Sequence, residues 1–399
     1  MVTGHIVRSG VMAAGAVFAA GVALTPAHAA DDIRQAITDG KVAIDLRYRY
    51  EYADDDAVSK DANASTLRTR FGYTTAAFYD FTAALEFEDI TVVGTELYNS
   101  TLNGKTSYTV VQDPPLTEVN RALIQYDGLA DNVFRGGRQR ITLSNQRFVG
   151  NESWRQNEQT YDALSVVNTM LVDTELTYAF LTHVQTPTGV TMESKSHLFH
   201  GTYSGLPLGK IDGYMYLLDL DGTNDSSTLG GRFSGKQVYD QWTSLIYGVE
   251  LAIQNDYADA PNSVDANYFA FEIGGDTSGI TVMLGYEQLG GDGTYGFQTP
   301  LASKHGFNGW ADMFLTTPAA GLEDLYGSVG TDIGTLKVLG VYHNFSPDSG
   351  GGDYGSELDF IVTQTFARRY DVGGKLAMYD ADSFAADTLK MWLWVSTAF

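Results

Sequence analysis

The 399-residue chain contains no cysteine, which removes disulfide scaffolds, thiolate zinc sites and cysteine nucleophiles together. Positive charge is scarce as well: 25 Lys and Arg stand against 49 Asp and Glu, a formal net charge of -24. That balance leaves no broad basic surface and excludes nucleic acid as a principal partner. Charged residues make up 19%, below the quarter typical of soluble domains. After Leu24 no apolar run reaches 18 residues, whereas a spanning helix needs about 20. Helical membrane spans are excluded; strands of about 9–11 residues are not. Length alone admits two soluble domains or one large barrel.

What is present begins with a compartment signal. Met1 to Ala29 reads as a secretory signal peptide, with His5 and Arg8 at the start and an apolar stretch from Val11 to Leu24. Ala27-His28-Ala29 supplies the small-x-small cleavage pattern. Its removal takes away one arginine and no acid, moving the charge from -24 to -25. Residues 30–40 are then a short periplasmic segment, and 41–399 form one domain.

That domain alternates apolar and polar residues in short runs separated by Gly, Asp, Asn and Ser clusters. In 41–52, Ile44, Leu46, Tyr48, Tyr50 and Tyr52 share one face, and Asp45, Arg47, Arg49 and Glu51 the other. In 67–73, Leu67, Thr69, Phe71 and Tyr73 oppose Arg68 and Arg70. From Phe81, the residues Phe81, Ala83, Leu85 and Phe87 oppose Thr82, Ala84, Glu86 and Glu88. Further strands are expected near 121–127, 133–143, 162–168, 174–183, 196–203, 210–220 and 226–234. The remainder lie near 244–253, 267–273, 280–289, 325–333, 336–345, 356–366, 370–380 and 388–399. The total is 18, with 16 as the alternative, and the spacing suits an all-β transmembrane antiparallel β-barrel of the outer membrane of a Gram-negative bacterium.

Connection lengths support the barrel independently. Short turns fall at 76–80, 128–132, 169–173, 205–209, 274–279, 333–335 and 367–369. Between them lie longer connections at 53–64, 92–120, 144–160, 184–195, 254–266, 290–323 and 346–355, of which 92–120, 144–160 and 290–323 are expected as long extracellular loops. Short turns on one side and long loops on the other are the outer-membrane pattern, with 235–243 longer than the rule expects. The chain closes on Met391, Leu393, Val395 and Phe399 at one parity, resembling the terminal signal read by outer-membrane assembly machinery.

Cost decides which face meets lipid. An arginine at the bilayer midplane costs about 2–4 kcal/mol, so exposing Arg47, Arg49, Arg68 and Arg70 would cost roughly 8–16 kcal/mol if all lay deep. A marginally stable fold cannot absorb that. Those side chains are expected to face the lumen. Of the 14 arginines after Ala29, 11 precede residue 160 and three follow it. Guanidinium suits bidentate contact with carboxylates, so the asymmetry reads either as a track for carboxylated solutes or as a transverse ladder of Arg–Glu pairs stiffening the wall.

The most distinctive stretch runs from Gly136-Gly137-Arg138-Gln139-Arg140-Ile141 through Asn145-Gln146-Arg147-Phe148-Val149-Gly150 to Trp154-Arg155-Gln156-Asn157 and Thr160-Tyr161-Asp162-Ala163. Arg138 and Arg140 are expected on one strand face, Ile141 and Leu143 on the other. Residues 144–160 form a polar loop, either ordered outside the barrel or folded inward to narrow the pore. This stretch, with Leu46-Arg47-Tyr48-Arg49-Tyr50-Glu51 and Thr69-Arg70-Phe71-Gly72-Tyr73, resembles the alginate export family of outer-membrane barrels over roughly 41–165. The resemblance implies an 18-stranded porin with an arginine-lined constriction for a polyanionic polysaccharide. Its pathway candidates are Arg47, Arg49, Arg68, Arg70, Arg138, Arg140, Arg147 and Arg155.

Other chemistry is not supported. His183, His197, His200, His305 and His343 show no HExxH spacing and no GxSxG partner, and His197 and His200 at i, i+3 point to opposite strand faces. Asp54-Asp55-Asp56 and Asp219-Leu220-Asp221-Gly222 lack the twelve-residue calcium register. Neither a catalytic residue, a metal site nor a cofactor is expected. The reading is an outer-membrane porin passing anionic saccharides such as alginate-like uronic acids, or small anions, in contact with outer-membrane lipid and lipopolysaccharide. The alternative is a non-transporting structural or adhesive barrel.

Overall fold

Each of the 18 segments with period-2 patterning forms a strand in the computed structural model, which describes residues 32–399 except 224, 261 and 262. The signal-peptide assignment lies outside the described residues. The first nine strands are β1 (Lys41–Asp55), β2 (Ala62–Thr74), β3 (Phe81–Val92), β4 (Thr117–Tyr126), β5 (Asn132–Gln139), β6 (Thr160–Asn168), β7 (Thr174–Gln185), β8 (Thr191–Leu206) and β9 (Gly209–Leu218). The rest are β10 (Ser226–Val238), β11 (Thr243–Asp256), β12 (Asp265–Thr277), β13 (Ile280–Leu289), β14 (Leu322–Ile333), β15 (Leu336–Ser346), β16 (Gly355–Phe366), β17 (Tyr370–Ala381) and β18 (Thr388–Ala398).

Every strand pairs antiparallel with its sequence neighbours, and β1 pairs with β18 from Asp45↔Ala398 to Asp55↔Thr388. The sheet is therefore closed and has no free edge, the condition a sheet must meet in lipid. The 16-strand alternative is excluded. Before β1 a short helix, α1 (Ile33–Thr38), forms where the sequence reading had only a segment; the Asp32 side chain caps it by accepting from the Gln35 N–H at 2.8 Å. Ala36 of α1 is buried and its carbonyl accepts from the Ala76 N–H.

Among the boundaries that differ from the sequence reading, two bear on the site. The turn that looked long at 235–243 shrinks to 239–242, because β10 continues to Val238 and pairs with Ser244. All connections at that end are now short; three have two residues, 207–208, 278–279 and 334–335, and at Ser278-Gly279 φ of 54° and 82° gives the left-handed pair a two-residue hairpin needs. The fifth strand, expected to run to Leu143, stops at Gln139. Beyond Gln139 the chain leaves the wall, so Ile141 and Leu143 are buried in the bore instead of meeting lipid.

The parity is as the cost of charge requires. Arg47, Arg49, Glu51, Arg68, Arg70, Glu86 and Glu88 are buried on the inner face, while Tyr48, Phe71, Leu85 and Phe87 are exposed on the outer. The outer face carries apolar residues all round, among them Leu164, Leu251, Leu284, Leu325 and Leu393. Leu284, in mid-β13, is 60% exposed. We expect Leu284→Arg to destabilise the barrel folded into lipid vesicles by about 2–4 kcal/mol in denaturant titration; no loss of stability there would contradict an outward Leu284 in the hydrocarbon.

Candidate functional site

An 18-stranded wall encloses enough space for an aqueous channel, and here that space is occupied by chain. Residues 140–159, between β5 and β6, turn inward and cross the bore. Apolar side chains drive the crossing: Phe148 packs against Tyr214, Tyr268 and Phe297 with ring centroids 5.1, 5.2 and 5.9 Å away. Residues 290–321, between β13 and β14, also turn inward, and the two loops join through a parallel bridge at Val149↔Leu301. Gly150 N–H donates to the Leu301 carbonyl at 2.8 Å. Farther along the second loop, Phe314 packs on Phe345, Tyr354, Tyr379 and Phe384. Of the two expectations for 144–160, the inward one holds; the long connection 290–323 is folded inside as well.

Polar wall residues hold the first loop down. Arg47 donates through Nε to Gln156 Oε1 at 2.9 Å and through Nη1 to the Ser153 carbonyl at 3.2 Å. Arg49 donates to the Trp154 carbonyl at 2.6 Å, pairs with Asp113, and lies 5.2 Å over the Trp154 ring. Asp113 comes from the connection 93–116, so this third segment also touches the loop, and its other carboxylate oxygen accepts from the Gln156 N–H at 2.8 Å. Arg155 pairs with Glu51 at 3.4 Å and with Asp312 of the second loop. Arg147 donates to Glu287 Oε1 at 2.7 Å and Asn308 Oδ1 at 2.8 Å, fastening both loops to β13. These four arginines are buried and act as ties between loops and wall, with only the Arg49 Nε left without a hydrogen-bond partner.

A second group lies on β2 to β6. Arg140 donates to both Glu158 carboxylate oxygens at 2.6 and 2.7 Å and to Glu86 at 2.8 Å. Arg121 pairs with Glu86 at 2.7 Å, and Arg70 with Glu88 and, at 3.6 Å, Glu158. Arg68 bonds Asp45 at 2.5 Å, while its Nε and Nη1, like Arg70 Nη2, have no hydrogen-bond partner. Arg138 departs from expectation. It stands opposite Ala122 and Asp162, at the parity of the outward Ile124 and Leu164, and forms a bidentate pair with Asp162 at 2.7 and 2.9 Å. Arg138 and Arg140 do not share a face, because the pleat ends at Gln139 and Arg140 follows the loop inward. Pairing with Asp162 at the strand's loop end neutralises the outward charge.

Electrostatics in the inner loops follow from burial and pairing. Burial would raise the Glu158 carboxyl, but Arg140 and Arg70 outweigh it and hold the group well below the usual range. Asp113 behaves alike: Arg49 and Arg155 outweigh burial and lower it. Glu152, which accepts from the His305 N–H at 3.2 Å, goes the other way. Burial dominates and pushes it up to about 7, with Arg155 only partly offsetting.

Sequence reasoning singled out the arginines and Trp154 but missed their partners. Asp113, Glu287, His305 and Asp312 lie far along the chain with no local signal, and only inward folding of three connections assembles them. His197 and His200 do point to opposite faces: His200 is buried against Tyr216, and His197 sits beside the wall residues Tyr178 and Phe180.

Glu152 yields a pH prediction. Its folded pKa lies above the unfolded value, so the carboxyl is neutral in both states below about pH 4 and penalises folding increasingly as pH rises toward 7. Glu152→Gln should therefore match the wild type near pH 4 and exceed it in unfolding free energy by on the order of 2–3 kcal/mol at pH 8. Equal stability at pH 8 would show that the buried carboxylate costs nothing.

A model of the family described as alginate export matches residues 40–286. No curated protein matches the chain. Among solved structures, OccK9 (OpdG) of Pseudomonas aeruginosa is similar with a TM-score of 0.73 and 14% identity, over 91% of this chain and 99% of that one. OccAB2 of Acinetobacter baumannii gives 0.72 and 15%, over 92% and 99%. OpdK of Pseudomonas aeruginosa, in a crystal structure with vanillate, gives 0.71 and 16%, over 91% and 99%. At these identities the likeness is one of fold. The family match spans more than half of the chain and coincides with the closed 18-stranded wall: the chain belongs to the alginate export family of outer-membrane β-barrel channels, and is a porin, not an enzyme.

Proposed function

We propose that the protein passes small carboxylates, of the size of a single uronic acid or aromatic acid, by diffusion along the wall of β2 to β5. The observation carrying this reading is the run of guanidinium groups Arg68, Arg70, Arg121 and Arg140 on one inner face, where Arg68 Nε and Nη1 and Arg70 Nη2 lack a hydrogen-bond partner, as Arg49 Nε does beside them. A buried donor without a partner is costly, and a carboxylate supplies the planar pair of acceptors that guanidinium fits. Arg47, Arg49, Arg147 and Arg155 serve this reading indirectly, as the ladder that holds the constriction, and Arg138 lies off the path.

Size favours monomers over polymer. Two inner loops joined to each other and to β1, β2, β13 and β18 leave little bore for a threaded polysaccharide. The vanillate seen with OpdK is a carboxylate of the proposed class. In this reading the short-turn end faces the periplasm, the long-loop end and its outer rim meet lipopolysaccharide, and Phe399 serves assembly.

Planar-bilayer recording tests the proposal. Discrete current steps with a reversal potential favouring chloride over potassium are expected, and Arg68→Gln with Arg70→Gln should reduce that preference several-fold. A barrel without current steps would be the structural or adhesive alternative. Strong cation preference unchanged by the double variant would defeat the anion path.

A further inference from the structure

Lys375 lies on the inner face of β17, 2% exposed, with its ammonium 3.8 Å from the ring centroid of Trp310, 4.2 Å from Trp154 and 5.5 Å from Trp392. Trp154 belongs to the first inner loop, Trp310 to the second and Trp392 to β18. One wall cation thus touches both inner loops through indole faces. Its fourth contact is His305 Nε2 at 2.7 Å.

The proton arrangement around it is self-consistent. His305 Nδ1–H donates to Asp312 at 2.7 Å, which leaves Nε2 as an acceptor for the ammonium. Burial keeps the imidazole neutral, its pKa well below the usual value, so His305 accepts from Lys375 and does not repel it. Trp154 stacks on His305 with centroids 4.8 Å apart and planes within 4°, and meets Trp392 edge-on at 5.7 Å. Asp312 also takes Arg155 and, at 3.1 Å, Lys390 of β18. The Trp310 N–H is held from the wall by Glu357 and Asp359 of β16.

Indole faces converging on an ammonium are the construction used to bind organic ammonium ligands, and the attraction grows when water is excluded. Here the cage is filled by the protein itself. We propose that Lys375 is a bolt: it occupies an aromatic cage shared by both inner loops and the wall, locks the loops across the bore as one unit, and so sets the low-conductance state. Withdrawing the cation frees the indoles to part and the loops to move. The inference rests on the barrel conducting, not on its preferring anions.

The experiment is single-channel recording of the full chain in potassium chloride, read as total current irrespective of selectivity. Lys375→Ala should give larger and noisier openings, with several-fold more time above the wild-type level. Lys375→Arg should keep the quiet level. Replacing potassium by tetramethylammonium, which fits an emptied cage, should quieten Lys375→Ala and leave the wild type unchanged. Wild-type behaviour in Lys375→Ala, or the same noise in both cations, would overturn the bolt. Should that variant not fold, Lys375→Met, which keeps the length of the side chain and loses its charge, provides a separate test: the same large, noisy openings are expected, and a quiet wild-type level would refute the bolt. Loss of anion preference with normal gating would instead count against the proposed substrate alone.

Discussion

A charge kept from water must find a partner, and this condition organises the molecule from the outside inward. Lipid forbids the early arginines on the outer face. Turned inward they meet a space that the chain itself fills, where burial imposes the same demand again. Arg47 and Arg49 satisfy it with loop carbonyls, Asp113 and Gln156; Arg147 and Arg155 satisfy it with Glu287, Asp312 and Glu51. The ladder reading and the pathway reading of the arginines therefore divide between residues. In the proposed reading the arginines tied to the loops build the constriction, and Arg68 and Arg70 line the remaining path.

The inner loops owe their position to two kinds of contact. Phe148 and Phe314 bring apolar rings to tyrosines and phenylalanines on separate stretches of the wall, contributing the transfer of apolar surface from water. The charged ties then fix where each loop stops. Because removing one member of a buried pair leaves the other unpaired, such ties specify a geometry even where their net contribution to stability is small. A channel gains from this division of labour, since the constriction is held by groups that need not touch the solute.

Family membership and local parity agree without one depending on the other. The alginate export match ends at residue 286, yet the barrel continues through β14 to β18 with the same alternation and closes on β1. The carboxyl-terminal strands supply Lys375, Lys390 and Trp392, which complete the cluster around the inner loops. The half of the barrel poor in arginine thus contributes lysine and tryptophan to the same constriction.

Strand number, strand faces and the alternation of short and long connections were legible in the amino-acid order, because a pleated strand between lipid and water repeats every two residues and each residue's face follows from its own parity. Arg47 and Phe71 could be placed from their neighbours alone. The end of β5 could not: Arg140, Ile141 and Leu143 continue an acceptable strand pattern, and they leave the wall because Phe148 and Trp154 find better partners across the bore. The outward turn of Arg138 likewise depended on where its strand stopped and on Asp162 being opposite. Local order decided the wall; the contents of the wall were decided by pairings such as Arg155 with Asp312 and Trp154 with His305, which lie more than a hundred residues apart and come within reach only after the barrel has closed.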